Sequence, residues 1–488
     1  MLNFNIMKLL IISMLLFSLK VCYSQNTFSK TYSSSEDSRS WRVKEDIKGN
    51  YIVSGAKILS SNLYKPFVYK MDCNGNVIDS ALYFDELPYD MYIQDVLPFN
   101  DKYIFIGFTG AFSSSSATAP NDSSMFYIRT DTNLNIIDTA FYSVVNNEDV
   151  EYSTSKIDKY GNIIIAGHYS NTGLFGSFIY KLSANGDSLA SSFIPIDSVS
   201  LFKNIMIDSN FYYALSMTYM QGNRLLYKYD TNLVLVDTYI IPYVVGYQYS
   251  PIWVNDSTYY TSGIYHESIK MSFSVAKITI GGELQDSLIF GSDSVDNYSG
   301  FYDALCMQNG SLYYVGNVYE SLEIPPYGNN EPTEIYLAKI DADLNIVWEK
   351  HIGGDAFYTA TNIVATLDGS VLLLATRNDI TDNMNQLDIY LVKVDSSGNV
   401  AWTKNINTIK QSINIFPNPA TTHINVNLKS SKQHISELSI IDIQGRIVLQ
   451  KQLNDKTLKF DVSSLPGGIY IVEGYTNKGE QFAGKFVK

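Results

Sequence analysis

Histidines are the side chains in this chain best suited to general acid–base catalysis or metal binding near neutral pH. They are His168, His266, His351, His423 and His434. None belongs to a His-Glu-x-x-His motif or another metal-spaced pair. The first three lie far apart in the chain, so they could form one site only if the fold brought them together. We therefore predict neither a catalytic nor a metal-binding histidine cluster.

Turns rich in Asp and Asn resemble calcium loops in composition. The segment Asp341-Ala-Asp343-Leu-Asn345 has the first oxygen ligands of such a loop. However, Ile346 replaces the glycine expected at the sixth position, and Ile352 replaces the bidentate glutamate at the twelfth. Asp and Asn also bind neighbouring backbone amides and so stabilise turns. We interpret these segments as turns and expect no metal or other cofactor.

Other catalytic signatures do not appear. The sequence has no Gly-x-Ser-x-Gly nucleophile elbow and no glycine-rich phosphate-binding loop. Carboxylates are numerous enough for the two-acid site of a glycosidase, but the sequence does not indicate which two would meet. No catalytic residue is therefore predicted.

Net charge limits the classes of partner. The chain has 35 basic and 49 acidic residues, a net charge of −14, and the acidic excess lies in its middle. Such a surface repels phosphate backbones and anionic lipid headgroups, so we expect no nucleic-acid partner. The 38 tyrosines suit either sugar stacking or the strands of a large β protein. We favour the second interpretation.

A repeated unit organises residues 25–406. Seven times, a strand ending in a basic residue is followed by a polar turn and another strand. A second signature precedes each copy: a polar turn and then a strand that often ends in glycine, as at Gly55 and Gly107. Each unit holds four short strands in roughly 50 residues, the period of a propeller blade. The basic residues are Lys70, Arg129, Lys181, Lys228, Lys277, Lys339 and Lys393.

The repeats predict an all-β fold, a seven-bladed β-propeller closed by the N-terminal strand near 27–32. An open β-solenoid or two smaller propellers are the alternatives. The unit is similar to β-propeller repeats of secreted Bacteroidota proteins with a K-x-D-x-x-G-N-x-x-W core, although Asp replaces Trp in most copies. Ser or Thr follows Asp at four repeat positions. These Asp-Ser/Thr pairs are similar to the O-glycosylation sites of this phylum. The alternative is that they are a polar start to a strand, encoded by the repeat. The pairs begin at Asp79, Asp138, Asp187 and Asp286.

The C-terminal residues 413–488 follow a predicted linker at 407–412. A Phe-Pro-Asn-Pro opening, a Gly-Arg turn, a Leu-Pro-Gly-Gly-Ile-Tyr segment and a basic end occur in that order. This order resembles the type A C-terminal sorting domain of type IX secretion in Bacteroidota. The resemblance implies a small Ig-like β-sandwich; an ordinary accessory β-sandwich is the alternative. The sorting-motif residues are Phe416, Pro417, Asn418, Pro419, Gly445, Arg446, Leu465, Pro466, Gly468, Tyr470, Lys485 and Lys488.

The N-terminal residues 1–24 read as a secretory signal peptide. The apolar run from Leu9 to Leu19 follows Lys8, and small residues Cys22 and Ser24 precede a cleavage site before Gln25. The run is shorter than the roughly 20 residues of a membrane-spanning helix, so we expect no transmembrane segment. A lipoprotein acylated at Cys22 is the alternative, but Lys20 and Val21 do not fit its motif.

These features predict a secreted or cell-surface binding or adhesion scaffold. It would pass through the periplasm and leave by the type IX machinery, its first partner. A glycan or a surface protein would be its ligand, and we expect a monomer. Two other classes stay open: an extracellular polysaccharide hydrolase or lyase with an acidic site at the propeller axis, and a structural surface component. The interpretation as a non-enzyme is favoured.

Overall fold

The fold is built from β-strands joined by turns. The computed structural model describes residues 27–34, 37–59, 63–110, 125–144, 149–171, 174–195, 200–218, 224–241, 250–267, 270–291, 296–300, 302–319, 332–379, 387–400, 411–428, 435–442, 447–455, 457–476 and 481–488. Every regular element in these ranges is a strand. The predicted signal peptide 1–24 and its cleavage site before Gln25 lie outside them. Internal contacts divide the chain into two compact units at residues 401 and 402.

The first unit contains seven antiparallel sheets of consecutive strands, which are the seven predicted blades. The first two blades are β2 (Ser38–Glu45), β3 (Tyr51–Ile58), β4 (Tyr64–Met71) and β5 (Val77–Leu82), then β6 (Asp90–Phe99), β7 (Lys102–Gly110), β8 (Met125–Thr130) and β9 (Ile136–Tyr142). The next two are β10 (Asp149–Ile157), β11 (Ile163–Asn171), β12 (Leu174–Leu182) and β13 (Ser188–Ile194), then β14 (Ser200–Ile207), β15 (Phe211–Thr218), β16 (Arg224–Asp230) and β17 (Leu235–Ile241).

The fifth blade is regular, and the sixth has an interrupted first strand made of two short pieces. The fifth comprises β18 (Ile252–Asn255), β19 (Thr258–Glu267), β20 (Lys270–Thr279) and β21 (Leu284–Phe290). The sixth comprises β22 (Asp296–Ser299), β23 (Leu305–Gln308), β24 (Ser311–Tyr319), β25 (Glu334–Ile340) and β26 (Ile346–Gly353). Both β22 and β23 pair with β24, so the residues between them leave the sheet.

The seventh blade closes the ring. It contains β27 (Phe357–Ala365), β28 (Val371–Asn378) and β29 (Leu387–Val394), and its fourth strand is β1 (Phe28–Tyr32) from the N-terminal end. β1 runs antiparallel to β29, with Phe28 opposite Lys393. The predicted closure is confirmed, and the open solenoid is wrong because both ends of the repeat region share one sheet.

The basic residue of the repeat connects neighbouring blades. Lys70 on β4 donates a hydrogen bond to the Thr132 carbonyl oxygen in the second blade, and its Nζ lies 5.7 Å from the Tyr103 ring. Lys181 on β12 makes the same two contacts with the fourth blade, at the Thr231 carbonyl and the Tyr212 ring. The basic residue of the repeat signature therefore makes a contact between neighbouring blades. Its cation lies over an aromatic face, which is stabilising.

The glycine of the second signature accommodates a close approach of the first strand. A Cβ on Gly55 would lie 2.0 Å from the Arg39 carbonyl oxygen, and a Cβ on Gly107 would lie 2.4 Å from the Tyr92 backbone carbonyl oxygen. In both blades the first strand has a β-bulge beside this contact. A bulge bends its strand and re-aims the side chain that follows it. The glycines and bulges thus determine which residues face the ring axis.

The second unit is a small β-sandwich. Its strands are β30 (Gln411–Phe416), β31 (His423–Leu428), β32 (Ile435–Asp442), β33 (Ile447–Asp455), β34 (Thr457–Asp461), β35 (Ile469–Thr476) and β36 (Gln481–Val487). β30 belongs to both layers, pairing with β31 on one side and in parallel with β36 on the other. The core between the layers includes Val426, Ile440 and Val472. β30 begins inside the stretch predicted as a linker.

Candidate functional site

Polar side chains converge where the first strands of the blades surround the ring axis. Three of these strands, β2, β6 and β14, have a bulge directly before the residues Arg42, Asp95 and Asn204. β27 has the same bulge before Asn362. Because equivalent bulges act in several blades, polar side chains far apart in sequence reach one place. We call this group, together with Lys44, Lys156 and Asp303, the axial cluster.

Asp303 is the centre of the axial cluster. It lies between β22 and β23, where the first strand of the sixth blade is interrupted, and forms an isolated parallel bridge with Asn362. Its Oδ2 lies 3.4 Å from Arg42 Nη1 and 3.3 Å from Lys44 Nζ. The Asn362 amide donates to the same oxygen at 3.2 Å, and the Asn204 amide donates to Oδ1 at 3.4 Å. Three blades, the first, fourth and seventh, therefore contribute donors to one carboxylate.

These donors keep Asp303 ionised. Burial alone would raise the pKa of its carboxyl, but Arg42, Lys44 and Lys156 together lower that pKa well below its usual range. The group is nevertheless not sealed, because 21% of the Asp303 side chain and 31% of the Lys44 side chain are exposed. Asp303 is thus a permanent negative charge that solvent can reach.

The second acid of the axial cluster is also engaged. Asp95 Oδ1 lies 3.5 Å from Arg42 Nε. Its Oδ2 accepts hydrogen bonds from the Ser155 backbone N–H at 2.8 Å and the Ser155 hydroxyl at 3.0 Å. Arg42 also lies 4.8 Å from the centre of the Tyr302 ring, which is only partly buried. The axis therefore combines charge, amide donors and an aromatic ring.

The four described histidines lie outside the axial cluster. His351 is on β26, the outer strand of its blade, with Nδ1 2.7 Å from Glu334 Oε2. His168 is buried on the second strand of the third blade, and His266 is on β19. His423 begins β31, and His434 lies outside the described residues. No group of three metal-ligating His, Cys, Asp or Glu side chains occurs in the described part of the chain.

The acidic turn residues bind their own backbone. The Asp341 carboxylate accepts hydrogen bonds from the N–H groups of Asp343 and Asn345, and from the Asn345 side-chain amide. Asp72, Asp131 and Asp395 form the same bonds in other blades. These are the bonds that the turn interpretation predicts.

Tyrosines mainly pack the blades together. The Tyr103 hydroxyl donates to Asp46 Oδ2 at 2.7 Å, and the Tyr212 hydroxyl donates to Asp158 Oδ2 at 2.8 Å, each across a blade boundary. Both rings are buried. This agrees with the favoured interpretation of tyrosine as a strand and core residue. The Asp-Ser/Thr pairs are on outer strands or directly before them, and Ser80, Thr139 and Ser188 are exposed.

Several predicted sorting residues meet at one end of the sandwich. Asn418 accepts a hydrogen bond from the Val487 N–H at 2.9 Å and donates to the Lys485 carbonyl at 3.2 Å. Gly468 and Lys488 exchange two backbone hydrogen bonds. The Pro-Asn-Pro opening, the Pro-Gly-Gly segment and the basic end thus contact one another although they are far apart in sequence.

The remaining sorting residues divide between the core and the surface. Tyr470 is buried, stacks on Phe486 and donates to the Pro466 carbonyl. Leu465 packs against the same core, whereas Phe416, Pro417 and Pro419 are exposed. Gly445 and Arg446, the residues of the predicted Gly-Arg turn, lie outside the described residues.

Comparison with known families identifies the second unit. Residues 414–488 match the family described as the secretion system C-terminal sorting domain. The chain therefore carries a type IX sorting domain, interacts with that secretion machinery, and is a secreted or cell-surface protein. No curated protein matches the chain. Within the described residues, no helix has the length and apolar character of a membrane span.

Three solved structures show low similarity to the chain. Polysaccharide lyase Uly1 is 10% identical, with a TM-score of 0.44 over 75% of this chain and 91% of its own. Phage phi92 endosialidase is 10% identical, with a TM-score of 0.43 over 95% of this chain and 79% of its own. A protein of unknown function from Bacteroides caccae is 11% identical, with a TM-score of 0.36 over 61% and 94%. At such identities nothing about activity follows.

Proposed function

We propose that this secreted β-propeller is a binding scaffold that holds an extracellular glycan at the axial cluster without cleaving it. The observation that carries the proposal is the environment of Asp303. Arg42 and Lys44 form ion pairs with the two axial acids, and amide and hydroxyl donors bind the remaining oxygens. A carboxylate in this setting orients a ligand, but it has no proton to give.

The hydrolase alternative requires a different arrangement. A two-acid glycosidase needs one carboxylic acid that stays protonated near neutral pH, which requires a raised pKa. The surroundings of Asp303 lower its pKa instead. Asp95 is bound to Arg42 and Ser155, so it is not placed to activate a water molecule. The axial acids therefore support recognition better than general acid–base chemistry.

The axial groups suit a saccharide. Sugars offer many hydroxyl groups that donate to carboxylates and accept from amides and ammonium groups, and an apolar ring face that packs on aromatic rings. Asp303, Lys44 and Tyr302 are each accessible to solvent in part. A surface-protein ligand remains the second candidate of this binding class.

For the sorting unit, we propose that the motif residues clustered around Asn418 and Lys488 form the recognition surface. Cleavage of the signal peptide before Gln25 and removal of the unit 413–488 after export complete this proposal. We further propose that the repeat region spans residues 25–406 and that the linker beginning at 407 ends where β30 starts at Gln411.

A glycan-array screen of the secreted protein, with a parallel assay for reducing-sugar release, tests the binding scaffold. Selective retention of glycans without release supports it. Release of reducing ends from any retained glycan supports the hydrolase instead, and silence on the array would direct attention to protein partners.

A further inference from the structure

Two lysines of the axial cluster occupy equivalent positions in different blades. Lys44 on β2 is opposite Ile52, three residues before Gly55. Lys156 on β10 is opposite Ile164, three residues before Gly167. The two blades flank the second blade, so the lysines approach the axis from nearby directions. Their charges interact with each other and with Asp303.

The charges of the cluster do not cancel. Arg42, Lys44 and Lys156 supply three positive groups, whereas Asp95 and Asp303 supply two negative ones. Arg42 pairs with both acids, and Lys44 pairs with Asp303. Among the described residues, Lys156 has no hydrogen-bond or ion-pair partner within 4.0 Å. Lys156 is therefore the one cation of the axial cluster that has no close anion among the described residues.

An uncompensated ammonium group in a partly buried site is unfavourable unless an anion joins it. Burial lowers the pKa of Lys156. The positive charges of Lys44 and Arg42 lower this pKa further, whereas the negative charges of the two axial acids raise it. A single bound carboxylate would restore neutrality and accept hydrogen bonds from both lysines. Ammonium-to-carboxylate hydrogen bonds are among the stronger polar contacts.

We propose that the axial cluster binds a carboxylate-bearing ligand, with the carboxylate between Lys44 and Lys156 and the rest of the ligand toward Asp303 and Tyr302. The inference rests on the proposed function and narrows its ligand class to acidic saccharides. The chain's net charge of −14 would otherwise repel such ligands. Preference for an acidic over a neutral sugar would therefore have to come from a local positive site.

Thermal unfolding of the secreted protein with added glucuronate, glucose or acetate tests the proposal. We expect glucuronate to raise the melting temperature in a concentration-dependent way and glucose to leave it unchanged. An equal effect of acetate supports the carboxylate site and shows that the free anion suffices. A larger effect of glucuronate supports it and identifies the sugar as part of the ligand. No effect of either anion would overturn the proposal.

Variants connect the effect to Lys156. Lys156→Met should weaken apparent glucuronate affinity about tenfold or more, because a charge-assisted bond is lost. It should also raise the melting temperature without ligand, since the uncompensated charge is gone. Lys156→Arg should retain binding and guards against a folding failure of the methionine variant. Lys159→Met, on an exposed turn of the same blade, is the control and should change nothing. Unchanged glucuronate affinity in Lys156→Met would contradict the site.

The glycan array separates failure of this inference from failure of the proposed function. Retention of neutral glycans alone would support the proposed glycan-binding function but contradict the carboxylate site. Retention of acidic glycans that Lys156→Met abolishes supports both.

Discussion

Phe28 lies opposite Lys393 in the seventh blade as Trp348 lies opposite Lys339 in the sixth. Phe28 on the N-terminal strand therefore occupies the position that Trp348 has in the sixth blade and that an Asp has in most of the others. Phe28 is buried against Tyr51, and its ring also fills the space beside Gly75. The N-terminal strand thus completes the blade that the last three strands of the repeat region form, and the ring closes through this pair.

Phe28→Ala should destabilise the propeller strongly. Truncating a buried phenylalanine costs about 3–5 kcal/mol, because apolar burial is lost and a cavity remains. Urea unfolding of the secreted protein measures the change. Ile47→Ala, at a side chain that is 77% exposed, is the control and should stay within about 0.5 kcal/mol of wild type. Equal stability of the Phe28 variant and wild type would contradict closure through β1.

Tyr103→Phe removes one hydrogen bond between the first two blades. The Asp46 carboxylate would keep its bonds from Asn50 and Lys48 but lose its tyrosine donor. We expect a loss of about 1–3 kcal/mol, since a buried charged acceptor is left with one partner fewer. Denaturant unfolding is the measurement, and Tyr160→Phe at an exposed tyrosine is the matched control. Equal effects of the two substitutions would mean that the contact carries no stability.

Glu45 should make stability depend on pH near neutrality. Burial raises the pKa of this carboxyl to about 7, against an ordinary value of 4.5, although the Leu367 N–H donates to it. The folded state therefore holds a proton that the unfolded chain has released between these two values. The free energy of unfolding should fall as pH rises from 4.5 through 7.

Glu45→Gln should abolish this contribution. The amide keeps an oxygen that can accept from Leu367, but it does not ionise. Thermal unfolding across pH 5 to 8 should show the variant gaining on wild type as pH rises. Glu283→Gln, at an exposed turn, serves as the control. Parallel curves for Glu45→Gln and wild type would count against a half-buried, titrating Glu45.

Removal of residues 413–488 should leave the propeller folded and trapped in the periplasm. Within the full chain, Asn418→Ala should reduce surface delivery, because Asn418 binds Val487 and Lys485 and holds the basic end beside the opening motif. Fractionation of cells followed by immunoblotting measures delivery. Asn414→Ala, at an exposed position on the preceding strand β30, should be delivered normally. Normal display of the truncated chain would refute the sorting role.

The repeat pattern was sufficient to predict the blades. The basic residues from Lys70 to Lys393 recur at one place in every unit, so the third strand of each blade follows from the sequence. In the sorting unit, Ile424 and Val426 alternate with asparagines, and both side chains are buried on β31. These features are local, and periodicity within a few residues is enough to reveal them.

The axial cluster could not be predicted because it depends on registers between distant strands. Asp303 lies where the sixth unit departs from the repeat, between two short strand pieces. Arg42 and Asn362 reach it only through bulges whose positions the sequence does not mark. The one available signal was the glycine of the second signature, which marks where the first strand approaches the second.

Mass spectrometry of an acidic oligosaccharide retained by the secreted protein distinguishes binding from catalysis at the axial cluster. We expect the oligosaccharide to be recovered from wild type with its mass unchanged after long incubation, and we expect Lys156→Met not to retain it. Recovery of shortened products, whether hydrolysed or eliminated, would contradict a binding scaffold and assign the axial cluster to catalysis.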